Sequence, residues 1–330
     1  MALEAAAQEI FDYGHGISAV DSVYDRRLQT AIHLVVERGR AAVIDTGTAH
    51  AAPRVLAALA AKGLAPADVD YVILTHVHLD HAGGAGQLMA RLPGARLTVH
   101  PRGARHMIDP SRLLAATVAI YGEAETRRLY GEILPVPAAR VIETPEGAAL
   151  SLAGRELRFL DVPGHALHHV AIRDGRTGHV FAGDTFGFSY RELDRDGRQF
   201  AFPTTSPTQF DPAALHRSID RLAGLAPEAV YVTHFGRLEG IGRLASDLHR
   251  LVDAHAALAE RHRAAGAERK RLLREGVSAL VLKERERQGW RLPSEKVLEV
   301  FALDVELNAQ GLEAWLDSRG KTVKKSGGND

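Results

Sequence analysis

The sequence is most informative at Thr75-His-Val-His-Leu-Asp-His-Ala-Gly-Gly84, where three histidines and an aspartate lie close together. This segment continues directly from Tyr71-Val-Ile-Leu-Thr75, a short apolar run typical of a strand that is buried on both faces. In an extended loop alternate side chains point the same way, so His76, His78 and Asp80 can share one side. His81 breaks that alternation. The pattern therefore predicts a metal site, with His81 turned toward a second ion beside the first.

Three further candidate ligands each follow an apolar run and are flanked by glycine or a small residue. They are His165 in Pro163-Gly-His165, Asp184 in Gly183-Asp-Thr185 and His234 in Thr233-His-Phe-Gly236. Functional sites are commonly assembled where strands end at one edge of a sheet. We therefore expect these three side chains to belong to the same site as the histidine-rich segment.

Composition limits the class of protein independently of these motifs. The chain has 330 residues, and its 41 Lys and Arg balance its 41 Asp and Glu, so no overall charge favours nucleic acid or an anionic membrane. It has no cysteine, which excludes disulfides, a thiol nucleophile and a cysteine-ligated metal. No apolar run approaches the roughly 18 residues that span a bilayer, and no secretory signal pattern is present. We expect a soluble cytoplasmic enzyme with a small-molecule substrate and with neither a nucleic-acid nor a membrane partner.

Strand and helix signals alternate in the first two thirds of the chain and predict a layered sandwich. We expect a catalytic domain at 1–240 that carries a helical insertion at about 101–137. Amphipathic stripes at 241–320 predict a helical C-terminal extension, which either mediates a homodimer or covers the sandwich. The polar, glycine-rich residues 321–330 predict a disordered tail.

Together these motifs resemble the metallo-β-lactamase superfamily over roughly residues 32–236, and the ligand set is most similar to those of glyoxalase II and the acyl-homoserine lactonases. The resemblance implies an α/β fold, an αβ/βα four-layer sandwich of two mixed sheets with the site at one edge. It implies that His76, His78 and His165 bind one metal ion, that Asp80, His81 and His234 bind another, and that Asp184 bridges the two. Asp45, in Val43-Ile-Asp-Thr-Gly47, resembles the residue that supports a ligand by hydrogen bonding.

The ligand types predict a dinuclear metal-dependent hydrolase. Imidazole and carboxylate without thiolate suit zinc, iron or manganese, and we expect two divalent ions, with zinc first. Two ions about 3.5–4 Å apart can share a water and lower its pKa to about neutrality. The metal-bridging hydroxide would attack an ester-like bond, a lactone or a thioester. Asp80 is also the candidate to shuttle the proton.

The sequence identifies the ligands more clearly than the substrate. Tyr190, in the loop after Asp184, is a candidate hydrogen-bond donor to the substrate, as a loop tyrosine is thought to be in the lactonases; the alternative is that it packs. Phe186 in the same loop indicates an apolar part of the substrate, and His169 is expected to support a ligand. The segment Pro163-Gly-His-Ala-Leu-His-His169 departs from the Pro-Gly-His-Thr-x-Gly-His of glyoxalase II, and no glutathione-binding set is recognisable.

Two other functions stay open at this point. A mononuclear iron oxygenase resembling the persulfide dioxygenases would use His76, His165 and Asp184, and one iron per chain with thiol-dependent oxygen uptake would identify it. A non-catalytic binding protein on the same scaffold would be favoured by the loss of a ligand. Every ligand position is filled here, which argues against that third reading.

Overall fold

Two mixed β-sheets form the first of two compact units in the computed structural model, which describes residues 10–205 and 209–326. The first unit takes in the chain up to Asp161, His168–Gly183 and Pro227–Glu239. The second unit consists of Val162–Leu167, Asp184–Ala226 and the chain from Gly240 onward. The strands of both sheets belong to the first unit, whereas the second is built of helices and long loops.

The first sheet has its strands in sequence order: β1 (Ile10–Asp12), β2 (Ile17–Asp21), β3 (Ala31–Glu37), β4 (Arg40–Ile44), β5 (Val69–Ile73), β6 (Arg96–Val99) and β7 (Val141–Glu143). Strands β1 to β4 pair antiparallel, and β4 to β7 pair parallel. Parallel neighbours need crossover connections, which helices supply here. The carboxyl ends of β4 and β5 therefore lie at the same edge, where Asp45 and Thr75 follow them.

The second sheet has the order β13-β12-β11-β10-β9-β8. Its strands are β8 (Ala149–Leu152), β9 (Arg155–Asp161), β10 (Val170–Asp174), β11 (Val180–Gly183), β12 (Val230–Val232) and β13 (Gly236–Leu238). Only β11 and β12 pair parallel among these described strands. The predicted α/β class, with two mixed sheets and a helical C-terminal region, is confirmed.

Alternating side chains of the first sheet enter two different cores. Leu34 and Val43 pack with the helices on one face, whereas Val35 and Ile44 pack against the second sheet. This is the period of two that a strand imposes. The core between the sheets is completed from the second sheet by Leu157, Phe159, Val170, Ile172, Phe181 and Tyr231. Burial on both faces explains why these strands are apolar without interruption.

Six α-helices are described in the first unit: α1 (Ala52–Ala61), α2 (Leu79–Ala82), α3 (Ala85–Arg91), α4 (Pro101–Ile108), α5 (Ser111–Tyr121) and α6 (Glu123–Tyr130). Buried apolar residues of α1, α3 and α4 cover the outer face of the first sheet. Helices α4 to α6 occupy the segment 101–137.

The second unit contains α7 (Pro212–Gly224), α8 (Ile241–Arg261), α9 (Arg269–Gln288), α10 (Ser294–Val300) and α11 (Ala302–Ser326). Five aromatic rings surround Phe301 with centroid distances of 5.4–6.1 Å, namely Phe188, Tyr190, Phe200, Phe202 and Trp290. Within the segment 321–330 the last helix continues to Ser326, and residues 327–330 lie outside the described part of the chain. None of the described helices has the length and apolar character needed to cross a membrane.

Candidate metal centre

Asp45 is the centre of a buried hydrogen-bond network at the carboxyl end of β4. Its side chain is 1% exposed. The carboxylate accepts hydrogen bonds from the Thr75 amide at 2.8 Å, from the Thr75 hydroxyl at 2.9 Å and from the Thr233 hydroxyl at 2.9 Å. His81 Nδ1 donates a further bond at 2.8 Å. One carboxylate thus joins the segments that follow β4, β5 and β12.

The bond to Asp45 decides which nitrogen of His81 can bind a metal. A carboxylate only accepts hydrogen bonds, so Nδ1 of His81 carries the proton. Nε2 then carries the lone pair of the ring, and this is the form of imidazole that binds metal ions. This Nε2 lies 3.5 Å from Oδ2 of Asp80.

His234 is oriented in the same way by different partners. Its Nδ1 lies 3.0 Å from the Gln29 carbonyl and 3.1 Å from the Thr30 hydroxyl. Because a carbonyl only accepts, Nδ1 is again the protonated nitrogen. Nε2 lies 3.4 Å from Oδ2 of Asp80. The ligand atoms of Asp80, His81 and His234 all fall within 4.8 Å of one another, a spacing compatible with one metal ion.

His76 and His78 form the neighbouring pair in the same unit, with Nε2 of His76 2.9 Å from Nδ1 of His78. The Thr75 hydroxyl lies 3.2 Å from Nδ1 of His76 and donates its own hydrogen to Asp45. It therefore accepts from His76, which leaves Nε2 of that ring as the metal-binding atom. The ring of His169, which the sequence predicted to support a ligand, stacks on His76 with centroids 4.7 Å apart.

His165 and Asp184 lie in the second unit, where Nε2 of His165 is 3.5 Å from Oδ2 of Asp184. Nδ1 of His165 contacts the Thr204 hydroxyl at 2.9 Å, so Nε2 is again directed at a carboxylate. Gly164, at φ 128°, is required beside His165 because a Cβ there would lie 2.3 Å from the Leu215 amide nitrogen in α7. The loop that carries His165 is therefore fixed against α7.

The nitrogen atoms that the candidate ligands present within each unit fit a transition-metal ion. The four histidines His76, His81, His165 and His234 all contact the protein through Nδ1 and present Nε2. Hydrogen bonding of the remote imidazole nitrogen is the usual arrangement for a metal-ligating histidine. Imidazole nitrogens with carboxylate oxygens suit zinc, iron and manganese.

Tyr190 and Phe186 both lie in the second unit, where the rings of Phe188 and Phe301 pack against Tyr190. Tyr190 is 1% exposed, and its hydroxyl donates to both carboxylate oxygens of Asp304 at 2.9 Å. Phe186 is fully buried. The placement of Tyr190 favours packing, the alternative that the sequence left open, over a contact with substrate. The sequence offered no signal for Asp304, because the two residues are 114 positions apart.

A tyrosine pair that sequence reasoning missed lies in the first unit. The hydroxyls of Tyr24 and Tyr130 are 3.1 Å apart and their rings stack at 5.8 Å. Burial and, to a smaller extent, the negative charge of Asp80 raise the pKa of Tyr24. Burial also raises the pKa of Tyr130, with smaller contributions from Tyr24 and Asp80. Both phenols are therefore protonated at neutral pH. Since one hydroxyl donates to the other, one phenolic hydrogen has no acceptor among the described residues.

The segment after Tyr130 is held close to the loop that carries the candidate ligands. A Cβ on Gly131 would lie 2.9 Å from Ala49 Cβ, and one on Gly86 would lie 2.1 Å from the Leu134 carbonyl oxygen. Gly86 belongs to α3, which begins shortly after His81. The insertion is thus packed against the chain on both sides of the histidine-rich segment.

Comparisons with known proteins agree with this architecture. The family model of the metallo-beta-lactamase superfamily matches residues 25–234. A hydroxyacylglutathione hydrolase of Xanthomonas axonopodis pv. citri (strain 306) is 32% identical over 197 residues, which is 60% of this chain and 56% of that protein. One of Acidiphilium cryptum (strain JF-5) is 30% identical over 237 residues, 71% of this chain and 76% of that protein. The chain spans little more than half the length of the first of these relatives.

Solved structures match over most of the chain. A metallo-beta-lactamase family protein of Thermus thermophilus has a TM-score of 0.62 at 24% identity, covering 92% of this chain and 94% of that one. An archaeal superfamily protein of Sulfolobus tokodaii has a TM-score of 0.56 at 17% identity, covering 91% and 99%. At such identities the likeness shows the fold alone, and it confirms the αβ/βα sandwich that the sequence predicted.

Proposed function

The chain belongs to the metallo-beta-lactamase superfamily, and from that premise we propose that it is a dinuclear metal-dependent hydrolase of an ester-like bond, a thioester or a lactone. The observation that carries the proposal is the convergence of Asp80, His81 and His234 beside the Asp45 network. In this cluster the buried carboxylate of Asp45 fixes the tautomer of His81, an arrangement that an ordinary cluster of polar residues at the surface does not require.

The proposed ligand assignment follows the superfamily pattern. His76, His78 and His165 would hold one divalent ion, Asp80, His81 and His234 would hold the other, and Asp184 would be shared by the two. The engagement of Nδ1 in His76, His81, His165 and His234 supports this assignment. Zinc is the ion proposed first, since nitrogen and oxygen donors without thiolate suit it.

Two divalent ions held there would supply Lewis acidity, the chemistry that activates a water and polarises a carbonyl. The chain's own residues orient the metal ligands and transfer protons near the ions. Asp45 holds His81 and Thr75 in place without itself binding metal. Asp80, whose side chain is 23% exposed, is proposed to take up the proton that the attacking water loses.

Tyr24 and Tyr130 are proposed as a second candidate source, beside Tyr190, of the hydrogen-bond donor to the substrate. One hydrogen of the pair is available, and burial, with a smaller contribution from the negative charge of Asp80, raises the pKa of both phenols and keeps them protonated. A donor directed at an oxygen that gains charge during the reaction stabilises that charge. We assign the pair to the carbonyl oxygen of the substrate, which gains negative charge in either a thioester or a lactone.

A thioester is the first substrate class to test, because the relatives in the comparison are named hydroxyacylglutathione hydrolases. Thiol release from short acyl thioesters can be followed with a thiol-reactive dye. The chain has no cysteine and so contributes no background to that assay. A parallel series of lactones tests the second ester-like class.

Metal content is the decisive companion measurement. Protein purified without added metal is expected to hold about two zinc ions per chain by plasma mass spectrometry. His76→Ala and Asp184→Ala should each lower that content and reduce turnover by more than about a hundredfold, with the fold retained. His262→Ala, at the end of α8, is the matched control. One iron per chain with thiol-dependent oxygen uptake, or full turnover in either ligand variant, would overturn the proposal.

A further inference from the structure

Two histidines of the second unit meet head-on between α7 and α8. His216 lies on α7 and His249 on α8, and their Nδ1 atoms are 2.6 Å apart. The rings are inclined by only 14°, and their centroids are 4.9 Å apart. The centroid distance exceeds the Nδ1 distance by about the two ring radii, so both nitrogens lie on the line that joins the rings. This is the geometry of a direct hydrogen bond between the imidazoles, and its short length is typical of a bond that carries charge.

The other nitrogen of each ring determines how many protons the pair holds. Nε2 of His216 lies 2.9 Å from Asp253 Oδ1, and Nε2 of His249 lies 2.9 Å from Asp220 Oδ1. A carboxylate only accepts hydrogen bonds, so both Nε2 atoms carry protons. With no proton between the rings the two Nδ1 atoms would present lone pairs to each other, and with two protons they would present two N–H groups. Only one proton between the rings makes the contact attractive.

We propose that His216 and His249 share one proton, and that this proton clamps α7 to α8 and so holds the loop of His165. The shared proton gives the two rings a single positive charge, which lies between the two carboxylates. Each helix thus contributes one histidine and one aspartate, and each aspartate bonds the histidine of the opposite helix.

The charged groups around the pair are few. Asp253 and Asp220 are 75% and 72% exposed, and each bonds one ring from its outer side. The residue that follows the histidine on each helix is an arginine. Arg217 is exposed, and Arg250 pairs with Glu284 of α9. Within the described part of the chain, no charged side chain other than the two aspartates forms a hydrogen bond or an ion pair with either ring.

The clamp acts on the helix that holds the loop of His165. The Ser218 hydroxyl of α7 donates to the Pro163 carbonyl at 2.6 Å. The Asp211 amide, just before α7, donates to the Gly164 carbonyl at 2.8 Å. The histidine that α7 contributes to the pair lies between these two contacts along the chain. Fixing α7 against α8 therefore fixes the loop, and on the proposed function that loop carries a metal ligand.

Proton counting gives the pH dependence of the clamp. Histidines of an unfolded chain titrate independently near pH 6.5. Above that pH the two unfolded rings are neutral whereas the folded pair keeps one additional proton, so stability falls as the pH rises. Below it the unfolded rings hold two additional protons and the folded pair one, so stability falls as the pH is lowered. The pair therefore stabilises the fold most near pH 6.5, and on either side its effect on the unfolding constant changes about tenfold per pH unit.

Urea unfolding of the full chain at a series of pH values from about 5 to 9 tests this profile. The difference in stability between the wild type and His216→Gln/His249→Gln should pass through a maximum near pH 6.5. His262→Gln, which removes one imidazole at the end of α8, is the control and should show no maximum. A difference that does not vary with pH would overturn the inference, because a contact without the shared proton has no such dependence.

Nuclear magnetic resonance of the wild type with nitrogen-labelled histidine observes the proton directly and needs no variant to fold. At about pH 6.5 the imidazole nitrogen shifts should show both Nε2 atoms protonated and one proton distributed over the two Nδ1 atoms. Two unprotonated Nδ1 atoms, or two fully protonated ones, would overturn the inference.

Amide hydrogen exchange at Asp211 tests the link to the loop of His165, because this amide bonds the Gly164 carbonyl. Its protection should fall in the double variant relative to the wild type at the same pH, and it should be unchanged in His262→Gln. Equal protection in the wild type and the double variant would overturn the positioning role. None of these measurements uses a metal ion or a substrate, so their outcome is separate from that of the proposed hydrolase.

Discussion

His81 donates a hydrogen bond from Nδ1 to Oδ2 of Asp45 across 2.8 Å, and both side chains are shielded from solvent. An interaction of this kind does two things at once. It satisfies a buried carboxylate, and it directs the remaining imidazole nitrogen toward Asp80. The same carboxylate accepts hydrogen bonds from Thr75 and Thr233, so one buried residue positions several segments that carry candidate ligands.

Asp45→Asn should therefore weaken metal binding without removing a ligand. The amide can no longer accept every one of these hydrogen bonds, and its NH₂ group would face donors. We expect zinc affinity to fall about 10- to 100-fold, as for other groups that orient metal-ligating histidines. Competition with a chromophoric chelator measures this change.

The matched control is Asp70→Asn on β5, where the carboxylate pairs with Arg40 at the surface. Its zinc affinity should equal that of the wild type. Equal affinity in Asp45→Asn as well would remove Asp45 from the metal centre.

Tyr130→Phe should reduce kcat by about ten- to a hundredfold. Removing one hydrogen-bond donor to a developing oxyanion typically lowers kcat by about a hundredfold or more, and Tyr24 remains in the variant. KM should change less, since the hydrogen bond strengthens as charge develops. Tyr71→Phe, which loses a half-buried hydroxyl on β5, is the control and should leave kcat unaltered. A kcat in Tyr130→Phe equal to that of the control would remove the pair from catalysis.

Tyr190→Phe should affect stability more than turnover. Its hydroxyl binds Asp304 of α11 within the second unit, and a hydrogen bond to a charged partner contributes about 1.5–3 kcal/mol. Urea unfolding should report a loss of that order, while kcat of the folded fraction stays close to that of the wild type. A large drop in kcat at unchanged stability would instead return this hydroxyl to the substrate site.

Stability should fall as the pH is lowered from 6.5 toward 4. Complete burial lowers the pKa of His33 and that of His255 to about 4 each. The charge of Asp45 opposes this shift in part at His33, and the hydrogen bond to the Leu251 carbonyl opposes it in part at His255. Between about pH 4 and 6.5 the unfolded chain binds protons that the folded chain does not. Each histidine then contributes a slope of about 1.4 kcal/mol per pH unit.

Urea unfolding at a series of pH values measures that slope. His255→Gln should flatten it by about one proton in this window, whereas His262→Gln should not. Identical slopes in the wild type and His255→Gln would show that His255 is protonated in the folded protein.

The fold class was accessible from local patterns. An uninterrupted apolar run such as Tyr71–Leu74 indicates by itself a strand that is buried on both faces. The parallel pairing of β4 and β5 then brings the carboxyl ends of these strands to one edge of the sheet. Segments rich in ligand residues directly after strands are also local, which is why His76, His78, Asp80 and His81 could be proposed together. The roles of His165, Asp184 and His234 in one centre stay predictions that the ligand variants test.

Pairs that are far apart in sequence could not be predicted in this way. Nothing near Tyr24 indicates Tyr130, 106 residues later, and nothing near His216 indicates His249. The position of Tyr190 in the loop after Asp184 suggested a contact with substrate, and nothing near it in sequence indicated that its hydroxyl bonds Asp304. The periodicity of apolar residues indicates which face of an element is buried, because residues that share a face are only a few positions apart in sequence. Which distant side chain meets that face is determined by how the helices and loops pack, and that follows from the whole fold.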